Sequence, residues 1–307
     1  VFIVGGATAY EQAFFQSLIN PFINNYIVPP VVSGNAHKIF RTDYTNNVTY
    51  NYMDSVRRDI NNGVLIANFQ GHAGNSDWED AMNDPTTLAN YGKLPFVLSF
   101  TCYTGKNSEP TFRSFGERYM NIANRGAIGF IGSTGWGWAY SGNTLQNWML
   151  YGFARDTLRR IGDIAKFGNN KILYDSVNST VRHSINCYGM LGDPAVKLAF
   201  PKIPEFHITN ADYKLSNDFP ALNETVYLTV YPKNIGLFAD SVKIRFNLKK
   251  NNIIASSRDT TLKNFKFSDS VLFSFKMDSL QNYKVEAILD YDNRFPAENK
   301  TNNTLLL

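Results

Sequence analysis

Two cysteines, four histidines and four tryptophans are all that this 307-residue chain carries of those residue types. So few cysteines exclude a disulfide framework, and Cys102 and Cys187 sit in unlike contexts without the paired spacing of a zinc site. Long apolar runs are missing as well. No stretch reaches the roughly 18 to 20 residues that a bilayer span needs, and none has the basic start and apolar middle of a signal peptide. Nor is charge massed: the net charge is +4, with Lys and Arg scattered rather than gathered into runs. That pattern excludes nucleic acid and membrane insertion from the reading. What remains is a globular composition, 44% hydrophobic and 14% aromatic, long enough for about two domains. The chain opens without Met, directly in "VFIVGGAT", which reads as a first strand and as part of a larger precursor chain whose localisation signal lies elsewhere.

Residues 1–202 alternate short apolar runs with helical patterns. Strands are predicted at 1–6, 64–70, 95–101 and 127–133, and helices through "YEQAFFQSLINPFI", over 50–63 with Gly63 as the stop, over 109–126, over 143–162 and near "DIAKFGNNKILYDS". Strands apolar on both faces and separated by helices imply a mostly parallel sheet flanked by helices, an α/β domain. "YGMLGDPAVKLAF" reads as the exit from this domain, and the two prolines of "PKIPEF" as a linker. Over 203–307 the texture changes to short alternating segments, "HITNADYKLS", "ETVYLTVYPKNIG", "DSVKIRFNLKKNN", "DSVLFSFKMDS" and "YKVEAILDYDNRF", which predict an all-β sandwich.

"LIANFQGHAGNSDW" and "LPFVLSFTCYTG" carry the chemistry. In an open parallel sheet, ligands collect outside the carboxyl ends of the strands, and His72 and Cys102 each fall just past such an end. If the two strands are neighbours, both residues face one crevice, as nucleophilic cysteine catalysis requires: a thiolate with an imidazole to move its protons. Gly71 and Gly74 let the backbone turn beside His72. The N–H groups of Ala73 and Cys102 are then available to a developing oxyanion. No cofactor is required.

These blocks, with "FGERYMNIANRGAIGFIGSTGWGW" and "GMLGDPAVKL" following in order, resemble the catalytic subdomain of gingipain-type cysteine peptidases, family C25, over residues 1 to about 200. The resemblance implies a caspase-like fold, a peptide or protein substrate, secretion or cell-surface display, and His72 with Cys102 as the catalytic dyad. It adds Glu11, just after the first strand, as the acidic residue that orients the histidine. It also places Trp138 on the wall of the substrate pocket, with Trp136 beside it. The tail, through "YPKNIG" and "LDYDNRFPAENKTNN", resembles immunoglobulin-like or CARDB-like modules that follow such domains. Members of the family include secreted endopeptidases and the sortase-like peptidases of type IX secretion in Bacteroidetes-like bacteria. Two departures stand out: Ala73 occupies a position where the family usually has Gly, and no acidic residue marks a pocket for Arg or Lys. The family's preceding caspase-like subdomain is not among these residues.

Blander readings stand beside these. His183 and Cys187, four apart, have no strand end or glycine turn with them and read as structural. Trp136 and Trp138 suit either a cleft wall or packing under a loop. Asp77, Glu79, Asp80 and Asp84 have the oxygen chemistry a structural calcium ion takes but not the spacing of the known calcium loop, and a solvated face or a helix start is preferred. Asp175-Ser176-Val177 and Asp269-Ser270-Val271 resemble glycosylation acceptors. Two functions other than an endopeptidase remain open: a sortase-like transpeptidase passing through the same thioester, and an inactive peptidase-like domain kept as a surface binding or adhesion module.

Overall fold

Stretches apolar on both faces become stable strands only between two covering layers, and the chain supplies those layers in its own order. The computed structural model describes residues 1–42, 49–175 and 178–307, so the triplet at 175–177 lies partly outside the described residues. By internal contacts the chain divides into one unit of Val1–Ile27 with Ala36–Phe200 and another of Val28–Asn35 with Pro201–Leu307.

The first unit runs β1 (Phe2–Val4), α1 (Ala9–Phe22), β2 (Lys38–Phe40), α2 (Thr49–Asn62), β3 (Ile66–Gln70), β4 (Phe96–Phe100), α3 (Phe115–Met120), β5 (Gly129–Ser133), α4 (Ala139–Ala154), α5 (Ile161–Asp175), α6 (Ser179–Cys187) and β6 (Tyr188–Leu191). Its sheet has the order β2-β1-β3-β4-β5-β6. The first five strands are parallel, and β6 returns antiparallel to β5. Every residue of β1, β3, β4 and β5 is buried. Ile3, Ala67, Phe69, Val97 and Phe130 pack in one cluster with Val56 and Ile60 of α2 and Phe115 and Tyr119 of α3. On the opposite face, positions for a Cβ at Gly142 and at Gly129 lie against Phe100 and Ile161, so α4 and α5 cover that side.

Three expectations are corrected. The helix predicted over 109–126 shrinks to α3, because Ser114 and Glu117 form a capping box that starts it late, while Asn124 and Gly126 turn left-handed after it. The helix predicted over 143–162 starts earlier and ends at Ala154 as α4, and the one predicted near "DIAKFGNNKILYDS" is α5. Between the two helices Thr157 has a positive φ, and the Arg159 guanidinium donates to the carbonyl of Phe153 in the last turn of α4 and to that of Leu158 in the connection. "YGML" does not leave the domain but forms β6.

The second unit contains β7 (Phe206–His207), β8 (Tyr213–Leu215), β9 (Thr225–Val230), β10 (Lys233–Asn234), β11 (Ala239–Lys250), β12 (Ile253–Phe265), β13 (Val271–Lys276), β14 (Tyr283–Leu289) and β15 (Thr304–Leu306). Antiparallel sheets β12-β11-β14-β15 and β13-β9-β8 enclose one core, in which the Phe246 and Phe273 rings stack at 4.9 Å. Among the described residues no helix is long and apolar enough to cross a membrane.

Candidate active site

Register brings the two strand ends together. β3 and β4 are parallel neighbours with Gln70 opposite Phe100, so His72 and Cys102 each lie two residues beyond that last pair. The Thr101 hydroxyl donates to the Gly71 carbonyl at 2.7 Å in a buried bond, tying the two exits to each other. Gly71 is needed for close approach rather than for a left-handed turn: a Cβ there would stand 3.0 Å from Gly5 Cα. Gly74 has room for a side chain, with Asp77 Oδ1 at 3.6 Å the nearest atom.

Glu11 lies in the first turn of α1 rather than in the preceding loop. It forms a capping box with Thr8, and its two oxygens divide the work. Oε2 accepts from the N–H groups of Ala7 and Thr8 at 2.9 and 3.0 Å. Oε1 lies 3.1 Å from His72 Nε2. A carboxylate accepts, so Nε2 is the protonated ring nitrogen and Nδ1 is left as the acceptor. The hydrogen bond from His72 is the largest cause that holds the Glu11 carboxyl below its usual range; desolvation opposes it, and the Thr8 N–H adds to it. One helical turn along, Phe15 meets the His72 ring edge-on at 5.6 Å. Two neighbours on one face of α1 thus fix the imidazole.

Cys102 begins a tight turn. Tyr103 has a left-handed backbone, φ 58°, uncommon for a non-glycine residue, and its N–H donates to the Gly135 carbonyl at 2.9 Å. The thiol is partly exposed. Its sulfur accepts the Gly137 N–H at 3.3 Å. Among the described residues neither the Ala73 nor the Cys102 N–H has a hydrogen-bond acceptor, so each strand exit carries one open donor. No hydrogen bond joins His72 to Cys102 among the described residues; in the free state each is held by its own partner.

Trp136 and Trp138 are 62% and 55% exposed, far too open for packing under a loop. Trp136 meets the Tyr103 ring at 5.5 Å, beside the nucleophile candidate. Between them, Gly137 has no space for a side chain: a Cβ would stand 2.4 Å from the Thr101 carbonyl oxygen. Sequence reasoning missed the Gly137 N–H, and the only signal was a glycine between two tryptophans in "GWGW". Cys187 and His183 do touch, with the sulfur 3.3 Å from Nε2, and burial pushes the Cys187 thiol up.

The acidic cluster is engaged with protein. Arg41 pairs with Glu79 at 3.2 Å and with Asp80, the Gly6 N–H donates to Glu79 at 3.0 Å, and Asp84 caps the short turn at Pro85–Thr87. Among the described residues no three His, Cys, Asp or Glu side chains gather as a metal set. The open-face reading is thereby replaced: a buried arginine draws the central carboxylates inward.

Comparison with known proteins fits this arrangement. The model of peptidase family C25 matches residues 2–199. No curated protein matches the chain in direct sequence comparison. Among solved structures, the Arg-specific cysteine proteinase gingipain R superimposes on 99% of this chain and 65% of its own, at 14% identity and a TM-score of 0.53. A complex of the pro- and mature domains of Porphyromonas gingivalis RgpB does so over 100% and 67%, at 14% identity and 0.51. The chain therefore spans 65–67% of the length of these structures. At such identities the likeness shows the fold, a caspase-like α/β domain followed by an immunoglobulin-like β part. A CARDB domain from Pyrococcus furiosus aligns over 38% of this chain and 93% of its own, at 22% identity and a TM-score of 0.29; the sandwich itself rests on the strands described above.

Proposed function

The chain belongs to peptidase family C25, and from that premise we propose that it is a cysteine peptidase that cleaves peptide bonds through a thioester on Cys102. The observation that carries this reading is the convergence of two strand exits: Cys102 with an open N–H donor at one, and His72 held by a carboxylate at the other.

Cys102 as thiolate attacks the peptide carbonyl, and the pair of electrons displaced onto oxygen is held by the N–H groups of Cys102 and Ala73. His72 Nδ1, having taken the proton that the Cys102 thiol gives up, passes it to the departing amine as the C–N bond breaks and the thioester remains. Glu11 fixes the ring by accepting from its Nε2–H. Water, deprotonated by the now neutral Nδ1, attacks the thioester and releases the acid and the thiolate. Trp136 and Trp138 wall the substrate side of the cleft. The family likeness supports work outside the cell or at its surface.

The test is cleavage of a diverse peptide mixture read by mass spectrometry, with Cys102→Ala beside the parent. Cuts that vanish in the variant are expected; an added amine that appears in the products would turn the reading to acyl transfer. Absence of cuts together with absence of electrophile labelling at Cys102 near neutral pH would overturn it in favour of an inactive module.

A further inference from the structure

The turn after β5 is pinned alternately from two sides. Thr134 donates its N–H to the Cys187 carbonyl at 2.9 Å, and the Trp136 carbonyl lies 2.8 Å from His183 Nε2. Both partners sit on α6. The intervening Gly135 carbonyl accepts from the Tyr103 N–H at 2.9 Å, and the Gly137 N–H points at the Cys102 sulfur at 3.3 Å. Even positions are gripped by α6, odd positions by the cysteine turn.

We infer that His183 is a positioning residue for Cys102: by donating to the Trp136 carbonyl it aims the Gly137 N–H at the reactive sulfur. This rests on the reading of Cys102 as nucleophile. A carbonyl only accepts, so His183 Nε2 carries a proton. Cys187, one helical turn away on α6, stands 3.6 Å from Nδ1 and 3.3 Å from Nε2 and holds the ring in that orientation. The sequence separation of four between the two residues serves this grip and not a second dyad. An amide N–H on a sulfur anion is a charge-assisted hydrogen bond and favours the thiolate.

The experiment is iodoacetamide labelling near neutral pH, with the modified cysteine identified by peptide mapping, on the parent, His183→Ala, His183→Gln and Cys187→Ala. Labelling of Cys102 slows about fivefold in His183→Ala, the size expected when one charge-assisted hydrogen bond is loosened. It returns to within about twofold of the parent in His183→Gln, whose amide N–H donates to the same carbonyl. In Cys187→Ala it slows by about twofold, since the ring keeps its donor and loses only its support. Parent-rate or faster labelling in folded His183→Ala overturns the inference, as does His183→Gln remaining as slow as His183→Ala. Where His183→Ala does not fold, Cys187→Ala and His183→Gln carry the same decision: an unslowed Cys187→Ala overturns it. Labelling reads the thiol and not turnover, so a chain that cuts no peptide still reports on this contact. Loss of cleavage with the labelling differences intact would sink the peptidase reading alone. Where cleavage is present, kcat falls in His183→Ala while KM changes less than twofold, a split that general destabilisation does not produce.

Discussion

Two Cys–His pairs in this protein make opposite use of the same residue types. His183 and Cys187 are one turn apart on a single helix, and their side chains touch, yet burial pushes that thiol up. His72 and Cys102 come from two strands, meet only because β3 and β4 pair in parallel register, and share no hydrogen bond. The pair in contact is the one whose thiol is disfavoured as an anion. Mutual distance is therefore a poor guide to reactivity, and the decisive differences are what else each group holds. His72 has a carboxylate on its far side and Cys102 has a backbone N–H aimed at its sulfur, whereas among the described residues Cys187 has neither.

The largest expected effect breaks the comparison outright: Cys102→Ala lowers peptide turnover by at least about a thousandfold, while Cys187→Ala costs no more than about fivefold, both measured as kcat/KM on a cleaved peptide. Next comes Gly137→Ala, whose Cβ would meet the Thr101 carbonyl oxygen at 2.4 Å and Tyr188 Oη at 2.7 Å. The backbone must shift, so thermal unfolding shows a loss of about 1–3 kcal/mol and Cys102 labelling falls with it. Glu11→Gln keeps an acceptor beside His72 but removes the charge. It is expected to leave about a tenth of kcat/KM, since a cysteine needs less help with ionisation than a serine.

A pH series sharpens the contrast at smaller scale. The Glu11 carboxyl is held low, so the stability from its His72 contact is present above the ordinary carboxylate pKa of about 4.3 and is lost only as pH falls through the lower folded value. Glu11→Gln removes that acid-side loss in thermal melts. The Cys187 thiol is pushed up, so its share of stability is present below the ordinary thiol pKa of about 8.5 and is lost as pH rises through the folded value. Its alkylation lags that of Cys102 at neutral pH and catches up only in alkali.

The central strands were legible because burial on both faces leaves largely apolar runs, as in "VLIANF" ahead of His72 and "FVLSF" ahead of Cys102. Edge elements were not. β2 is three residues with an exposed lysine, and β6 closes the sheet with "YGML", where only Tyr188 is buried. β12 is thirteen residues long but exposed at most positions, so it lacks the alternation that marked its neighbours. At the site, residue types and strand ends pointed to His72 and Cys102, and the resemblance alone supplied Glu11. The Gly137 N–H and the His183 contact are main-chain and tertiary, and no side-chain pattern encodes them.

Glu11 closes the first turn of α1 with one oxygen and holds His72 with the other. Helix start and imidazole thus share a single hinge pin. End turns fray before a domain melts, and each fraying event here would swing the carboxylate away from the ring. Heat would accordingly weaken the site, to about the extent that Glu11→Gln does, before it unfolds the protein, and the upper working temperature would be set by one turn of helix and not by the sheet beneath it.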